Sequence, residues 1–332
     1  MKAWLLDGLG GIDRLRLGDA PDPVARDGEV VLRVHYAALN PADRYLAEGQ
    51  YPARPTFPHI LGRDGVGTVV AIGGGVSDWK VGDRALLLRS EIGVNRPGTL
   101  AEKVAVPAEV IARLPVGWSE TESAGAPLVY LTAYQALTQW CEPLKTGSVV
   151  LVTGASGGVG VASIQLAVAM GHRVIALSRG TAKRDALLKL GAQLVLDPND
   201  TQWTRRCREF LGDRQKVDVA IDNIGGEGFN EVLGLLGYDA KVALVGRLAG
   251  PVPQFNTAAL FFRRITLRGV FVGSYPPPEA QAAWKATLDV LGRTGARPLV
   301  DRVLPFERLI DAFEPLRQGP LGKVLLAVNP PS

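Results

Sequence analysis

Gly154, Gly157 and Gly160 stand in the spacing G-x-x-G-x-x-G, with Ala155 where the commoner G-x-G-x-x-G pattern has its middle glycine. They follow an unbroken apolar run, Val149 to Val152, and open a stretch in which Val159, Val161, Ile164, Leu166, Ala167 and Met170 recur at helical spacing before Gly171. The first amides of a helix have no internal partner and sit at the positive end of its dipole, so an anion can dock there on bare backbone. Glycine lets it come close. A second apolar run, Arg173 to Leu177, follows at the spacing of a strand-helix-strand unit, the context in which such glycines hold a dinucleotide pyrophosphate. A glycine-rich turn that binds nothing is the alternative.

The end of the second run bears on which dinucleotide. About 20 residues past the glycines, an NAD site usually carries Asp or Glu for the ribose 2′-hydroxyl. Here the residues are Ser178 and Arg179, followed by Lys183. Two cations and no carboxylate favour the 2′-phosphate of NADP(H), against the plainer reading of two solvated charges.

These residues need a scaffold. At 332 residues the chain exceeds one ordinary core, so two domains are expected. A 47% hydrophobic and 21% charged composition is that of a globular protein. Charged residues interrupt every long apolar run, so no membrane partner is expected. The apolar core of MKAWLLDGLGGIDRL is too short for a signal peptide, which makes cytoplasmic the default. Cys141 and Cys207 are expected to be free thiols. The net charge of +4 comes without a Lys/Arg run, so no nucleic acid is expected and the excess suits an anionic cofactor.

Residues 1 to about 120 read as an all-β unit, with strands over Lys2–Leu6, Glu29–Ala38, Gly67–Ile72, Arg84–Leu88 and Leu100–Val106. From Glu120 the chain turns to alanine-rich helix. Strands and helices then alternate: helix Ala182–Leu190, strand Gln193–Leu196, strand Val217–Asp222, helix Glu231–Leu236, strand Lys241–Val245 and strand Ile265–Val272. That alternation implies a doubly wound parallel sheet, with its ligand at the carboxyl ends of the strands. Tyr275-Pro276-Pro277-Pro278 ends the pattern. Helices over Glu279–Leu291 and Phe306–Arg317 and a strand over Lys323–Val328 follow, a tail expected to pack back on the N-terminal module.

With these segments in place, the chain resembles the medium-chain dehydrogenase/reductase superfamily, and within it the zinc-independent quinone oxidoreductase branch. The resemblance rests on Ala38-Leu39-Asn40-Pro41-Ala42-Asp43, Gly49-Gln50-Tyr51-Pro52, Leu61-Gly62-Arg63-Asp64-Gly65-Val66-Gly67, Val81-Gly82-Asp83-Arg84, Leu131-Thr132-Ala133-Tyr134, Gly154 to Gly160, Asp222-Asn223-Ile224-Gly225-Gly226 and Gly322-Lys323-Val324. It implies an α/β fold: a Rossmann doubly wound parallel sheet over 123–274, plus a GroES-like, mostly β domain from 1–122 and 275–332, with the cofactor in the cleft between them. It also implies hydride transfer and a homodimer paired along the edge strand near Ile265 to Val272.

Zinc-dependent relatives carry Cys in the position of Asn40 and His-Glu in the positions of Arg63-Asp64. Catalytic zinc needs about three ligands from Cys, His and carboxylate, and neither signature is present. Arg89 to Thr99 holds no cysteine, so no structural zinc lobe is expected either. A metal-free site suits an electron-poor acceptor such as a quinone or an α,β-unsaturated carbonyl, which takes hydride from a nicotinamide held in contact with it. By resemblance, Asn40, Tyr45 and Tyr51 line the substrate side. Tyr51 is either the hydrogen-bond donor and proton relay or, with Tyr45, an apolar wall while water supplies the proton. Asp43 reads as a capping residue.

Resemblance also implies the cofactor contacts: Gly154, Ser156, Gly157, Gly158 and Val159 at the pyrophosphate, and Ser178, Arg179 and Lys183 at the 2′-phosphate. Asn223 falls by the ribose and adenine. Gly246, Arg247 and Leu248 pass under the nicotinamide half, Phe271, Val272 and Gly273 offer backbone to the carboxamide, and Thr132 touches the nicotinamide. Three readings stay open: reduction of a quinone or enone, reduction of an enoyl thioester, and NADPH binding with little turnover.

Overall fold

The computed structural model describes residues 1–88, 91–213, 216–251 and 254–331. Arg89 and Ser90, which open the cysteine-free segment, lie outside the described residues. The chain divides into two compact units, one of Met1–Leu128, Val272–Ala286 and Arg297–Ser332, the other of Val129–Phe271 and Thr287–Ala296. The sequence expectation was 1–122 with 275–332, and 123–274.

The first unit is built on a seven-stranded sheet. Its order is Val300–Pro305, Lys323–Ala327, Glu29–Ala38, Asp64–Ile72, Arg84–Leu87 and Ile111–Arg113, with Lys103–Pro107 also paired to Glu29–Ala38. Only the Val300–Pro305 and Lys323–Ala327 pair is parallel, and Lys323–Ala327 runs antiparallel to Glu29–Ala38. The expected return of the C-terminal tail is therefore strand pairing, Leu325 opposite Ala38. A smaller sheet joins Leu15–Asp19, Lys2–Leu6 and His59–Ile60. Trp4, Leu32, Leu61, Leu100, Phe313 and Leu326 are among the side chains of the core these sheets enclose.

A short helix, Pro41–Ala47, leaves the end of Glu29–Ala38. Proline at its first position has the backbone angle a helix needs and no amide to waste. Asp43 Oδ2 accepts the Asn40 N–H at 2.8 Å, closing half a capping box.

The second unit is a six-stranded, wholly parallel sheet in the order Leu194–Leu196, Arg173–Leu177, Val149–Val152, Val217–Asp222, Leu236–Leu244, Thr266–Gly269. The strand order reverses between Val149–Val152 and Val217–Asp222, where a doubly wound sheet opens a crevice for its ligand. Val149 to Val152 are all fully buried, as a central strand covered on both faces requires.

Several boundaries differ from the expected ones. The sixth strand stops at Gly269, and Val272–Ser274 is a 3-10 turn, so Phe271 to Gly273 follow the sheet instead of ending it. The helix expected from Glu279 begins two residues earlier, at Pro277, a position proline tolerates, and runs to Gly292. The strand Leu236–Leu244 starts five residues before Lys241. Helix Trp203–Leu211 and strand Val300–Pro305 had no counterpart in the sequence reading. Among the described residues no helix is long and apolar enough to cross a membrane. Cys141 is exposed, Cys207 is buried, and both are free.

Candidate functional site: a dinucleotide cradle and a buried charge cluster

In the second unit, Thr153, Ser178, Asn223 and Val245 each follow the carboxyl end of a strand in one parallel sheet, which brings them to the same edge. After Val152 the chain turns through Gly154, whose φ of +58° is a left-handed conformation that disfavours any side chain. Helix Gly158–Ala169 starts at once, with Gly157 as a cap that offers no side-chain hydrogen bond. A Cβ on Gly160 would lie 2.4 Å from the Gly154 carbonyl oxygen, so only glycine lets this helix sit so close under its own turn. Gly157 has room for a neighbour at van der Waals distance. The turn is thus held by packing at Gly160 and left uncapped at Gly157.

A polar clasp fixes the adjoining loop. Thr153 Oγ1 donates to Asp222 Oδ1 at 2.8 Å and accepts the Asn223 N–H at 2.9 Å, while Asn223 Nδ2 donates to the Thr153 carbonyl at 2.7 Å. Asp222 also accepts the N–H groups of Ile224 and Gly225 at 3.2 Å. The clasp leaves two groups over. Asn223 Oδ1 and Ser178 Oγ are buried and have no hydrogen-bond partner. Buried polar atoms are nearly always paired, so two orphans at one strand edge mark where a polar ligand would complete the network. The donor types, amide oxygen and hydroxyl beside uncapped helix amides, fit the ribose hydroxyls and phosphates of a dinucleotide.

The remaining cofactor candidates fall around this edge. Ser156 is buried in the turn, Val159 is half-buried in the first helical turn, Arg179 is exposed, and Lys183 immediately precedes helix Arg184–Lys189. Gly246 donates its N–H to the Asp222 carbonyl at 3.2 Å, and Arg247 and Leu248 continue as exposed loop. Phe271 donates its N–H to Gln135 Oε1 at 2.9 Å and belongs to this unit, as does Thr132 on helix Pro127–Thr138. Val272 and Gly273 group with the first unit. One carboxylate escaped sequence reasoning: Asp197, following the third strand, accepts the Gly180 N–H at 2.8 Å. The absence of a carboxylate at the end of the second strand therefore does not leave that loop free of negative charge.

In the first unit, Asn40, Asp43, Arg63, Asp64 and Lys323 are all at least nine-tenths buried. Lys323 Nζ donates to Asn40 Oδ1 at 2.6 Å and to Asp64 Oδ2 at 3.1 Å. Asn40 Nδ2 donates to the same Asp64 oxygen at 2.9 Å and to the Ala38 carbonyl at 3.4 Å. Asp64 Oδ1 accepts the Leu128 N–H at 3.2 Å. Both ends of the Asn40 amide are therefore engaged within the protein. Burial raises the Asp43 carboxyl above its ordinary range, opposed by the charge of Arg63, whose Nε lies 3.6 Å from Asp43 Oδ1. Burial holds the neighbouring His59 ring below its ordinary value, with Arg63 adding to the effect.

Tyr51 meets this cluster through its ring, whose centroid is 4.2 Å from the Arg63 guanidinium carbon. Tyr51 also lines an open pocket of about 990 Å³ with Gly49, Pro52, Arg54, Phe57 and Asn95. Tyr45 is half-buried on helix Pro41–Ala47, beneath Arg44 at 5.3 Å. Lys323 stands in the motif Gly322-Lys323-Val324, which by itself assigns it no role. The signal was there: one charged residue opening an otherwise apolar strand, Lys323–Ala327. Among the described residues, no group of three or more His, Cys, Asp or Glu is placed to hold a metal ion.

Comparison with known proteins agrees with this architecture. Residues 26–116 match the alcohol dehydrogenase GroES-like domain family, and residues 158–291 match the family described as zinc-binding dehydrogenase. The chain is 29% identical to the quinone oxidoreductase of Pongo abelii, over 98% of this chain and 97% of that protein. It is 30% identical to the synaptic vesicle membrane protein VAT-1 homolog of Homo sapiens, over 99% of this chain and 87% of that protein. The solved structure of mycobacterial Rv1454c complexed with NADPH superposes with a TM-score of 0.87 at 29% identity, covering 98% of this chain and 99% of that one. The chain belongs to the medium-chain dehydrogenase/reductase superfamily, whose members are oxidoreductases that bind a nicotinamide cofactor.

Proposed function

We propose that this protein is a zinc-independent, NADPH-dependent oxidoreductase that transfers hydride to a quinone or an α,β-unsaturated carbonyl. The observation that carries the cofactor half is the strand-end cradle of the second unit, with its uncapped helix at Gly157 and the two orphaned buried atoms, Ser178 Oγ and Asn223 Oδ1. When bound, the reduced nicotinamide supplies a hydride. The chain's own residues do the rest. Gly154, Ser156, Gly157, Gly158 and Val159 offer backbone to the pyrophosphate, and Ser178, Arg179 and Lys183 receive the 2′-phosphate. Arg179 and Lys183 outnumber Asp197 there, which supports NADPH over NADH.

On the substrate side Tyr51 contacts the acceptor and delivers or relays a proton, while Asn40, tied to Lys323 and Asp64, orients the wall. No Lewis acid is needed, because a quinone or enone is already electron-poor. Steady NADPH consumption with a quinone, insensitive to a chelator, tests the reading.

A second reading has an observation of its own. The pocket beside Tyr51 is wide, open and carries Arg54, which suits the long anionic tail of an enoyl thioester. A higher kcat/KM with crotonyl-CoA than with any small quinone would select it. We further propose a homodimer, supported by the outer edge of Thr266–Gly269, which no further strand pairs among the described residues, and by the exposed Phe261 and Phe262 nearby in sequence; light scattering tests it.

A further inference from the structure

We propose that Asp197 limits this protein's preference for NADPH and lets it take NADH as well, an inference that rests on the cofactor reading above. Strands Arg173–Leu177 and Leu194–Leu196 lie side by side and parallel, with Leu177 opposite Leu196. The lacing continues past both strand ends. Ser178 donates its N–H to the Leu196 carbonyl at 3.0 Å, and two residues later Gly180 donates its N–H to Asp197 Oδ2 at 2.8 Å. The carboxylate is thereby fastened to the turn that bears Arg179, one peptide bond from that residue. Gly180 has a φ of +70°, so glycine suits the turn there.

The second Asp197 oxygen, Oδ1, accepts the Asn199 N–H at 2.9 Å, so both oxygens are held by neutral amides, which orient a carboxylate without cancelling its charge. Among the described residues Asp197 enters no ion pair, whereas Asp200, three residues on, is matched by Arg206 at 2.9 Å. Asp197 is half-buried, and Arg179 and Gly180 are exposed, so the turn is open to a ligand.

Electrostatics sets the sign of the effect. A 2′-phosphate held by this turn brings up to about two negative charges within the ~8–10 Å over which salt leaves charges in communication. Arg179 and Lys183 attract it, and Asp197 repels it. A ribose 2′-hydroxyl meets no such repulsion, and a carboxylate with about four lone-pair sites, two of them used, has room to accept its hydrogen bond. The acidic residue that an NAD site carries at the end of its second strand is supplied here from the third, beside a loop that also carries two cations. The turn is built to receive either dinucleotide.

The test uses Asp197→Asn and Asp197→Ser in the full chain, each shown to be folded by circular dichroism. NADPH and NADH are titrated by fluorescence at low salt and again at about 0.5 M salt, where the screening length is roughly halved or less. The two dinucleotides differ only at the 2′ position, so the ratio of their affinities isolates it. Asparagine keeps an acceptor for Gly180 and loses the charge. Serine loses the charge with a shorter acceptor, and it carries the readout alone if the asparagine variant does not fold. At low salt the ratio of NADPH to NADH affinity is expected to rise about three- to tenfold in either variant, the scale of one partly screened charge at this range, and the gain to shrink in concentrated salt. A ratio that stays at the wild-type value, a gain that salt does not reduce, or a wild type that binds NADPH but no NADH at millimolar concentration overturns the role of Asp197. Equal weakening of both dinucleotides leaves the ratio unmoved and reduces the residue to a fastening for the turn. A wild type that binds neither dinucleotide defeats the cofactor reading itself, and the role of Asp197 with it.

Discussion

The ammonium of Lys323 lies 2.6 Å from Asn40 Oδ1 and 3.1 Å from Asp64 Oδ2, joining the last strand of the chain to the turn before helix Pro41–Ala47. The lysine is 4% exposed and Asp64 is fully buried, so water screens little of the pair. Removing one partner of a buried ion pair strands the other, at a cost of about 3–5 kcal/mol. Lys323→Met is therefore expected to lower unfolding stability by that order, and adding Asp64→Asn to recover part of it. Urea unfolding of the single and double variants measures both. A single variant within about 0.5 kcal/mol of wild type, the range of ordinary surface changes, contradicts the role.

Arg179 tests the cofactor preference. Arg179→Ala should weaken NADPH by at least about tenfold, the scale of a lost charge-assisted hydrogen bond, and leave NADH nearly unchanged. Fluorescence titration with each dinucleotide reads it. An equal effect on both would place Arg179 in the solvent and give the 2′-phosphate to Lys183 alone or to nothing.

Tyr51→Phe keeps the ring on Arg63 and removes the hydroxyl. If the phenol delivers the proton, kcat should fall by about 10²-fold with NADPH affinity kept. An unchanged kcat reduces Tyr51 to a wall and leaves protonation to water.

Burial holds His59 and His172 below the ordinary histidine value of 6.5. In the unfolded chain both take protons near pH 6.5, while in the folded protein they resist. Unfolding then binds protons, so the stability present above pH 6.5 is lost as pH falls through the depressed folded values. Chemical denaturation from pH 7.5 downward should show this decline, and His59→Asn should flatten it. A decline of the same steepness in the variant would assign the acid sensitivity to other groups.

How much of this was legible in the sequence depends on how local the signal is. Val149–Val152 is an unbroken apolar run and Val217–Asp222 a mostly apolar one that ends in Asp222, and the structure keeps their limits. Helix Trp203–Leu211 buries Trp203, Cys207 and Leu211, a perfect four-residue spacing hidden among four charged residues. Strand Val300–Pro305 reads VDRVLP, with a proline and two charges, and becomes a strand only because Lys323–Ala327 runs beside it. The site divides in the same way. The glycine turn and Ser178 announce themselves within one strand-helix-strand unit. Lys323 finds Asp64 across 259 residues and Asn40 across 283, and no local window holds those pairs. Arg63 was visible only as the absence of a metal-binding histidine; its burial beside Asp43 is a property of packing.

Metal-free hydride transfer is tested by NADPH oxidation by the purified protein, followed at the nicotinamide absorbance in the presence of a chelator across a panel of quinones, enones and crotonyl-CoA. Sustained, multiple-turnover consumption with at least one quinone or enone is expected, slowed when C4 of the nicotinamide carries deuterium. Tight NADPH binding without consumption by any acceptor would contradict it.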